Sequence, residues 1–403
     1  MSAQRYKKIW IYTIFSLPLS RYFENMTKKR VLIGMSGGID STVAAILLLE
    51  QGYELVGATF RTFDPPIRNN CPNNDKGCCS EDSITDAQRM AATLGIEHHI
   101  LDFRETFRQH VIDNFVSEYA CGRTPNPCVL CNSHIKWGKL MQAANDFGCD
   151  YIATGHYAQI AEHRGHYYLK NAVDTQKDQT YFLWMLTEEN LRKTIFPLGG
   201  LTKSQVRQIA LDHGYEKLSK KAESQDICFI PNNDYHSFLV QQGVTIEAGE
   251  YIDASGKVLG KHQGFCHYTI GQRKGLGIAL GSPKFVTKID AQNNLVTLGE
   301  RDDLLTCEAT ITNVRLRDIK WLQESPNVQA RIRYKSPATD ATLRFELEEP
   351  DNQFLNPNSY LIGAQTIDAK FQIHFASPVW GVTPGQSLVI YKDDLVVGGG
   401  IIC

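Results

Sequence analysis

Three clusters of residues in this 403-residue chain have types and spacings suited to chemistry. The first is Gly34-Met35-Ser36-Gly37-Gly38-Ile39-Asp40-Ser41, which joins an apolar run over 31–35 to a longer apolar run that ends at Gly52. Adjacent glycines let the backbone turn its N–H groups inward as a nest for an anion, and a helix N-terminus adds partial positive charge. Ser36 and Ser41 add hydroxyl donors. No GK[ST] sequence occurs, so the phosphate loop that depends on a lysine is absent. The plain alternative is a tight strand–helix turn with Asp40 as a cap.

The second cluster is Asn126-Pro127-Cys128-Val129-Leu130-Cys131-Asn132. A CxxC pair serves as a redox couple, half of a metal site, or a sulfur carrier. Here it reads as part of an irregular loop rich in Pro and Asn, which disfavours a thioredoxin-like strand–CxxC–helix arrangement. Cys71, Cys78 and Cys79 could complete a zinc site with it. The third cluster is Ser224-Gln225-Asp226-Ile227-Cys228-Phe229-Ile230. A lone Cys228 could equally be a buried apolar cysteine.

The elements that must position these residues read as an alternation. Strands are expected at 31–35, 54–60, 97–101 and 150–154, and helices at 42–52, 81–94, 104–119 and 135–147. Such alternation implies a parallel sheet with helices on both faces and ligands beyond the carboxyl ends of the strands. The glycine loop, Phe60, the Cys128 loop and Gly155-His156 all fall there. From about residue 230 short alternating runs such as FVTKID, NLVTLG, VQARIRY and SLVIYK replace the helices. They predict an all-β region, a small module followed by a barrel or sandwich.

Composition bounds the rest. Lys+Arg is 42 against Asp+Glu 44, a net charge of −2, which excludes a uniformly basic coat but not a local basic groove. The dense basic turn Arg273-Lys274, in GQRKGLG, suits phosphate contacts that position without reading sequence. Eleven cysteines, seven of them at or before Cys149, are too few for a disulfide scaffold and suggest a reducing, cytoplasmic setting. No membrane partner is expected. The apolar stretch Ile9–Leu19 is about half the ~20 residues a spanning helix needs. It follows Arg5, Lys7 and Lys8 but has no small-residue cleavage site, and Met26 lies beyond it. Residues 1–29 are therefore expected to be an upstream extension.

SGGIDS resembles the signature loop of ATP pyrophosphatases, which split ATP into AMP and pyrophosphate. Taken with GRTPNPxxxCNxxIKW, ATGHY, KDQTYFL, SQDICFI, YTIGQRKGLGI and the terminal TPGQ…GGGII, the chain resembles the tRNA-specific 2-thiouridylase family. The matching blocks run in order from about residue 30 to 402. The resemblance implies an ATP-dependent tRNA-uridine 2-sulfurtransferase that replaces the C2 oxygen of the wobble uridine by sulfur. It also implies a Rossmann-like α/β ATP-pyrophosphatase domain (30–230), a small mostly-β central domain (231–283) and a C-terminal tRNA-binding β-barrel (284–403). Its co-substrates and partners would be ATP with Mg2+, the anticodon loop and stem of tRNA, and a sulfur-donor protein or sulfide.

By motif position the resemblance gives residues 34–41, Phe60 and Gly155 to ATP. Asn126, Pro127 and Cys128 would meet the target base. His156, Lys177, Asp178, Gln179, Arg333, Tyr334 and Gln386 would contact tRNA. Cys228 would carry sulfur as a persulfide and Cys131 would attack it. Without the resemblance, Gly155 reads as a turn glycine, Lys177-Asp178-Gln179 as a solvated run and Arg333-Tyr334 as a surface strand pair. One departure matters: the family commonly carries Asp where this chain has Cys128. Cys128, Cys131 and Cys228 together would leave one corner open on a [4Fe–4S] cluster, a rival to the persulfide route. Two other rivals are an ATP-pyrophosphatase synthetase with a nitrogen nucleophile, and a non-catalytic zinc-stabilised RNA-binding protein.

Overall fold

A computed structural model describes residues 28–64, 81–220, 227–230, 234–344 and 370–403. The expected N-terminal extension up to residue 27, the Cys71/Cys78/Cys79 loop and Ser224–Asp226 lie outside them.

The first unit alternates as expected. Strand β1 (Arg30–Gly34) leads to α1 (Ile39–Glu50), then come β2 (Glu54–Arg61), α2 (Glu81–Leu94) and β3 (Glu97–Asp102). Burial explains why β1 is a central strand: Val31 and Ile33 enter one apolar core with Val43, Ala44 and Leu48 of α1. Leu32, between them, enters a second core on the opposite face with Trp137 and Leu140. That period of two is a strand covered on both faces.

Residues 104–120 are helical, as α3 (Arg104–Phe107), a wide π segment (Arg108–Ile112) and α4 (Asp113–Ala120). The next helix corrects the sequence reading. It begins at Pro127, not at 135, as α5 (Pro127–Leu130), and continues through a π segment (Cys131–Lys139) into α6 (Leu140–Asp146). Asn126 stands at its N-cap and Pro127 in its first turn. Proline is well suited there, since its fixed φ is helical and its missing N–H would have no partner anyway. The residues read as loop punctuation are a helix start.

β4 (Tyr151–Ala153) returns beside β1, and a hairpin of β5 (Gln159–His163) and β6 (His166–Lys170) follows. Then come α7 (Glu188–Arg192), β7 (Thr194–Ile195), α8 (Lys203–Asp212) and α9 (Glu216–Ser219). The sheet has the order β3-β2-β1-β4-β7, all parallel. The order reverses between β1 and β4, so the crevice beyond those two strands is the expected ligand site of the sheet.

The region after 230 is not all β: α10 (Tyr235–Gln241) starts it, with the Asp234 side chain accepting from the Ser237 N–H. β8 (Gly249–Ile252), β9 (Val258–His262), β10 (Phe285–Asp290) and β11 (Leu295–Gly299) form a sheet of order β10-β11-β8-β9. The β10–β11 hairpin joins this sheet because β11 pairs with β8. The change to the barrel therefore falls after Gly299 and not at the expected 283/284.

The last unit is β12 (Leu305–Leu316), α11 (Ile319–Glu324), β13 (Asn327–Arg331), β14 (Thr339–Arg344), β15 (Phe371–Trp380), β16 (Ser387–Lys392) and β17 (Leu395–Ile402). Its sheet runs β12-β15-β14-β13-β16-β17 and closes through β12–β17, a six-stranded antiparallel barrel. The β5–β6 hairpin of the first unit adds to β17, with Leu395 opposite Lys170 and Val396 opposite Leu169. Val389, Tyr391 and Val396 of the barrel share the core that holds Leu32 and Trp137. The two units are therefore packed as one body.

Candidate functional site

The glycine loop sits at the switch point. The Met35 N–H donates to the Ala58 carbonyl (2.7 Å) and the Thr59 hydroxyl donates to the Met35 carbonyl (2.7 Å), so the loop entry is fastened to β2. Gly37 has φ +67°, and a Cβ there would lie 2.7 Å from the Ser83 carbonyl oxygen of α2. The position demands glycine on both counts. Gly38 occupies the N-cap of α1, which has no side-chain cap. The first-turn N–H groups are thus left for a ligand at the positive end of the helix. Ser41 supports the turn: its hydroxyl donates to the Gly38 carbonyl (3.1 Å) and accepts from the Ser36 N–H (3.2 Å). Phe60 lies at the rim, its ring 3.4 Å from where a Gly34 Cβ would stand.

Asp40 is not a simple cap. Lys203 Nζ donates to both carboxylate oxygens (2.7 and 2.8 Å), and the Tyr157 hydroxyl donates to Oδ1 (2.8 Å). Lys203 opens α8, behind a Thr202 capping box, and is 9% exposed. Sequence reasoning missed Lys203 and Tyr157. The only signal was their types, since nothing local ties them to a loop more than a hundred residues earlier. Gly155 belongs to the same assembly. A Cβ there would stand 2.8 Å from the Asp40 carbonyl carbon and 2.9 Å from the Ser41 nitrogen.

His156 follows Gly155 but faces inward. Lys136 Nζ lies 3.4 Å from its Nε2, and Thr154 Oγ1 lies 2.8 Å from its Nδ1. An ammonium can only donate, so Nε2 accepts and Nδ1 carries the proton. Burial first, and the Lys136 charge second, hold its pKa well below the usual histidine value. The ring is therefore neutral at physiological pH. Trp137 and Phe196 flank it at 5.5 and 6.3 Å.

Of the next expected tRNA contacts, Asp178 is buried and accepts from the Ala172 N–H (2.7 Å) and the Thr180 hydroxyl (2.5 Å). Burial raises its pKa, against those bonds. Gln179 accepts from the Tyr157 N–H (3.0 Å) and its own N–H donates to the Tyr157 carbonyl (2.9 Å). Gln179 thus braces the turn at Tyr157 and Asp178 ties Ala172 to Thr180, while Lys177 is partly exposed. Tyr334 packs on Phe182 (4.4 Å) and Tyr181 (6.1 Å). Arg333 Nη2 donates to the Ile270 carbonyl (3.0 Å), the Gly381 carbonyl (2.8 Å) and the Thr383 hydroxyl (2.5 Å). Gln386 Nε2 donates to the Thr124 (2.9 Å) and Pro125 (3.1 Å) carbonyls. Arg273 and Lys274 are exposed.

The cysteines lie on the helix that starts at Pro127. Cys128 is exposed, while Cys131, three residues on, is partly buried. Cys131 and Cys228 pack against one apolar cluster built from Phe107, Val111, Phe115, Ile135 and Phe229. Residues 97 positions apart in sequence are thereby brought to one cluster. Among the described residues no three His, Cys, Asp or Glu side chains gather as a metal site. Cys128, Cys131 and Cys228 are all described and do not gather in this way. On the helix, Cys128 turns to solvent and Cys131 to the apolar cluster. Nor does Asp40, the carboxylate of the glycine loop, offer a ready Mg2+ ligand, because Lys203 holds both of its oxygens.

A parallel sheet with an uncapped glycine nest at its switch point defines a nucleotide-binding α/β enzyme domain of the HUP class. Family models agree: residues 29–232 match the "tRNA methyl transferase HUP domain", 237–300 the "tRNA methyl transferase PRC-barrel domain" and 362–402 the "Aminomethyltransferase beta-barrel domain". The chain is 44% identical to the tRNA-specific 2-thiouridylase MnmA of Amoebophilus asiaticus, over 94% of this chain and 96% of that one. It is 43% identical to that of Acetivibrio thermocellus (94% and 100% covered) and 42% identical to that of Clostridium perfringens (94% and 99%). The chain belongs to the tRNA-specific 2-thiouridylase family. Among the described residues no helix is long and apolar enough to cross a membrane.

Proposed function

We propose that this chain is an ATP-dependent tRNA-uridine 2-sulfurtransferase that uses a cysteine persulfide. The observation that carries the reading is the convergence of Cys131 and Cys228 on one apolar cluster, in a chain that also holds an uncapped glycine nest at the switch point. An amine-forming synthetase has no use for such a thiol pair.

The chemistry explains the parts. A pyrimidine C2 oxygen is a poor leaving group. It attacks the α-phosphorus of ATP, and pyrophosphate leaves into the nest of residues 36–41 and the α1 N-terminus. Phe60 and Gly155 border the nucleotide. The uridine is flipped from its loop so that C2 is reachable, and it meets Asn126, Pro127 and Cys128 at the positive end of the helix. The terminal sulfur of a Cys228 persulfide attacks C2, and AMP leaves with the C–O electron pair. The Cys131 thiolate then attacks Cys228 Sγ. The S–S bond breaks, its electron pair stays on the sulfur at C2, and a Cys131–Cys228 disulfide forms. A thiol reductant reopens it with two electrons, and a persulfide-carrying donor protein reloads Cys228: the Cys228 thiolate attacks the donor's outer sulfur, and the donor leaves as a thiolate. Mg2+ would accompany ATP on its phosphates.

The barrel, the exposed Arg273-Lys274 turn and the partly exposed Lys177 would hold the tRNA backbone. The working units are the catalytic domain 30–230, the central module and the barrel, in a reducing cytoplasm. The test is nucleoside mass spectrometry of tRNA incubated with ATP and a persulfide donor. 2-Thiouridine is expected with the wild type and is lost in Cys131→Ser and Cys228→Ser. Full activity of either variant overturns the thiol relay.

A further inference from the structure

We propose that Gln386 is a positioning residue for the base-facing segment, which it holds from the C-terminal barrel. The inference rests on the reading above for what Asn126–Cys128 do, but not for how they are held.

The segment before the cysteine helix has little means of fixing itself. Thr124-Pro125-Asn126-Pro127 lies outside any helix or strand until Pro127, and its two prolines have no N–H to donate. Its carbonyls need donors from elsewhere. A carboxamide NH2 offers two hydrogens from one nitrogen. Gln386 Nε2 places them on the Thr124 and Pro125 carbonyls, at 2.9 and 3.1 Å. These are the two carbonyls that immediately precede Asn126. The grip is reciprocal, because the Thr124 N–H donates to the Pro384 carbonyl (2.9 Å).

The turn that does this is itself fixed. Gly385 has φ +89°, and a Cβ there would lie 2.9 Å from the Thr124 carbonyl oxygen, so glycine permits the approach. The Gly385 N–H donates to the Ile402 carbonyl, and the Ile402 N–H to the Gln386 carbonyl (both 2.9 Å), which ties the turn to β17. Arg333 bonds Gly381 and Thr383 on the other side of the turn and reaches Ile270 of the central unit. The Thr124 hydroxyl donates to Thr269 Oγ1 of that unit (3.2 Å). Barrel and central unit therefore converge on the residue that leads into Asn126-Pro127-Cys128, with Cys131 three residues on. Gln386 is partly buried against protein carbonyls, and its donor hydrogens are already committed. A displacement of about 1 Å at a reacting centre costs about a hundredfold in rate, so a hold of this kind acts on the chemical step.

The test uses the full chain with Gln386→Ala and the isosteric Gln386→Glu. Expected for both is a 10- to 100-fold fall in kcat for tRNA thiolation, with the tRNA dissociation constant within about twofold of wild type. Hydrogen exchange read by mass spectrometry should speed up in peptides covering residues 122–131. In Gln386→Glu the carboxylate faces two carbonyls, so protonation should restore part of the activity as pH falls, relative to wild type at each pH. Weaker tRNA binding with kcat at saturating tRNA intact makes Gln386 a tRNA contact and overturns the proposal. Unchanged exchange together with unchanged kcat overturns it as well. If exchange rises while the wild type makes no thiolated nucleoside, the reading of function fails and the positioning stands.

Discussion

Replacing Lys203 by Met removes the cation from the nucleotide loop while keeping most of the side-chain volume. Lys203 Nζ lies 2.7 and 2.8 Å from the two Asp40 oxygens, and the side chains are 11% and 33% exposed. Breaking a fully buried pair by removing one partner costs about 3–5 kcal/mol, whereas an exposed pair is worth about 0–1 kcal/mol. Asp40 is one-third exposed and keeps the Tyr157 hydroxyl and the α1 N-terminus. The cost should fall between those limits, about 1–3 kcal/mol. That is a fall in Tm of roughly 2–12 °C for a unit of about two hundred residues. ATP suffers too, because an uncompensated carboxylate now stands beside the nest that must take its phosphates. A loss of about tenfold or more in ATP affinity is expected, equivalent to about 1.4 kcal/mol. The assays are thermal denaturation and calorimetric ATP titration of Lys203→Met, Asp40→Asn and the double variant. The double variant should regain most of the Tm, since it removes both charges. A Lys203→Met protein within 1 °C of wild type, or a double variant no more stable than the single one, refutes the reasoning.

Gly155→Ala should weaken ATP binding about tenfold or more, because its Cβ would press the Asp40–Ser41 backbone at 2.8 and 2.9 Å; overpacking of this kind costs about 1–3 kcal/mol, and unchanged ATP titration counts against the nest. Burial is the leading cause that lowers the pKa of His98, His134, His156, His236, His262 and His267. The unfolded chain, with histidines near ~6.5, therefore binds protons first on acidification, so stability is flat above that pH and falls below it, by up to ~1.4 kcal/mol per pH unit for each ring. A Tm that rises between pH 6.5 and 5.5 contradicts this. Reversing charge at Arg273 and Lys274 should weaken tRNA binding and flatten its salt dependence by about 0.7–0.9 in slope for each phosphate no longer neutralised; unchanged filter-binding curves remove that turn from the interface.

Much of the first unit was legible because local pattern and tertiary role coincide there. The Gly37-Gly38 nest sits between a strand with alternating burial and an apolar helix, and both signals are contiguous in sequence. The start of the cysteine helix was misread for a local reason: Asn126 and Pro127 favour loops and helix starts alike. What stayed invisible is long-range. Nothing near Lys203 says that it will meet Asp40, and nothing in β5 and β6 says that they will extend a barrel closed more than two hundred residues later. Arg333 reads as half of a surface strand pair, and only the assembled turn shows its donors and those of Gln386 turned onto protein carbonyls. The cluster that gathers Cys131 and Cys228 is likewise a product of packing between α3, α4 and segments that follow residue 227.

In the proposed reaction ATP turns the C2 oxygen into a leaving AMP that cysteine-borne sulfur displaces. The most direct test counts products over one reaction with unmodified tRNA, ATP and a persulfide donor: AMP by chromatography and 2-thiouridine by nucleoside mass spectrometry. One AMP should appear for each thiolated nucleoside, and none without tRNA. Thiolated nucleoside formed without AMP, or with ADP in its place, would contradict the account.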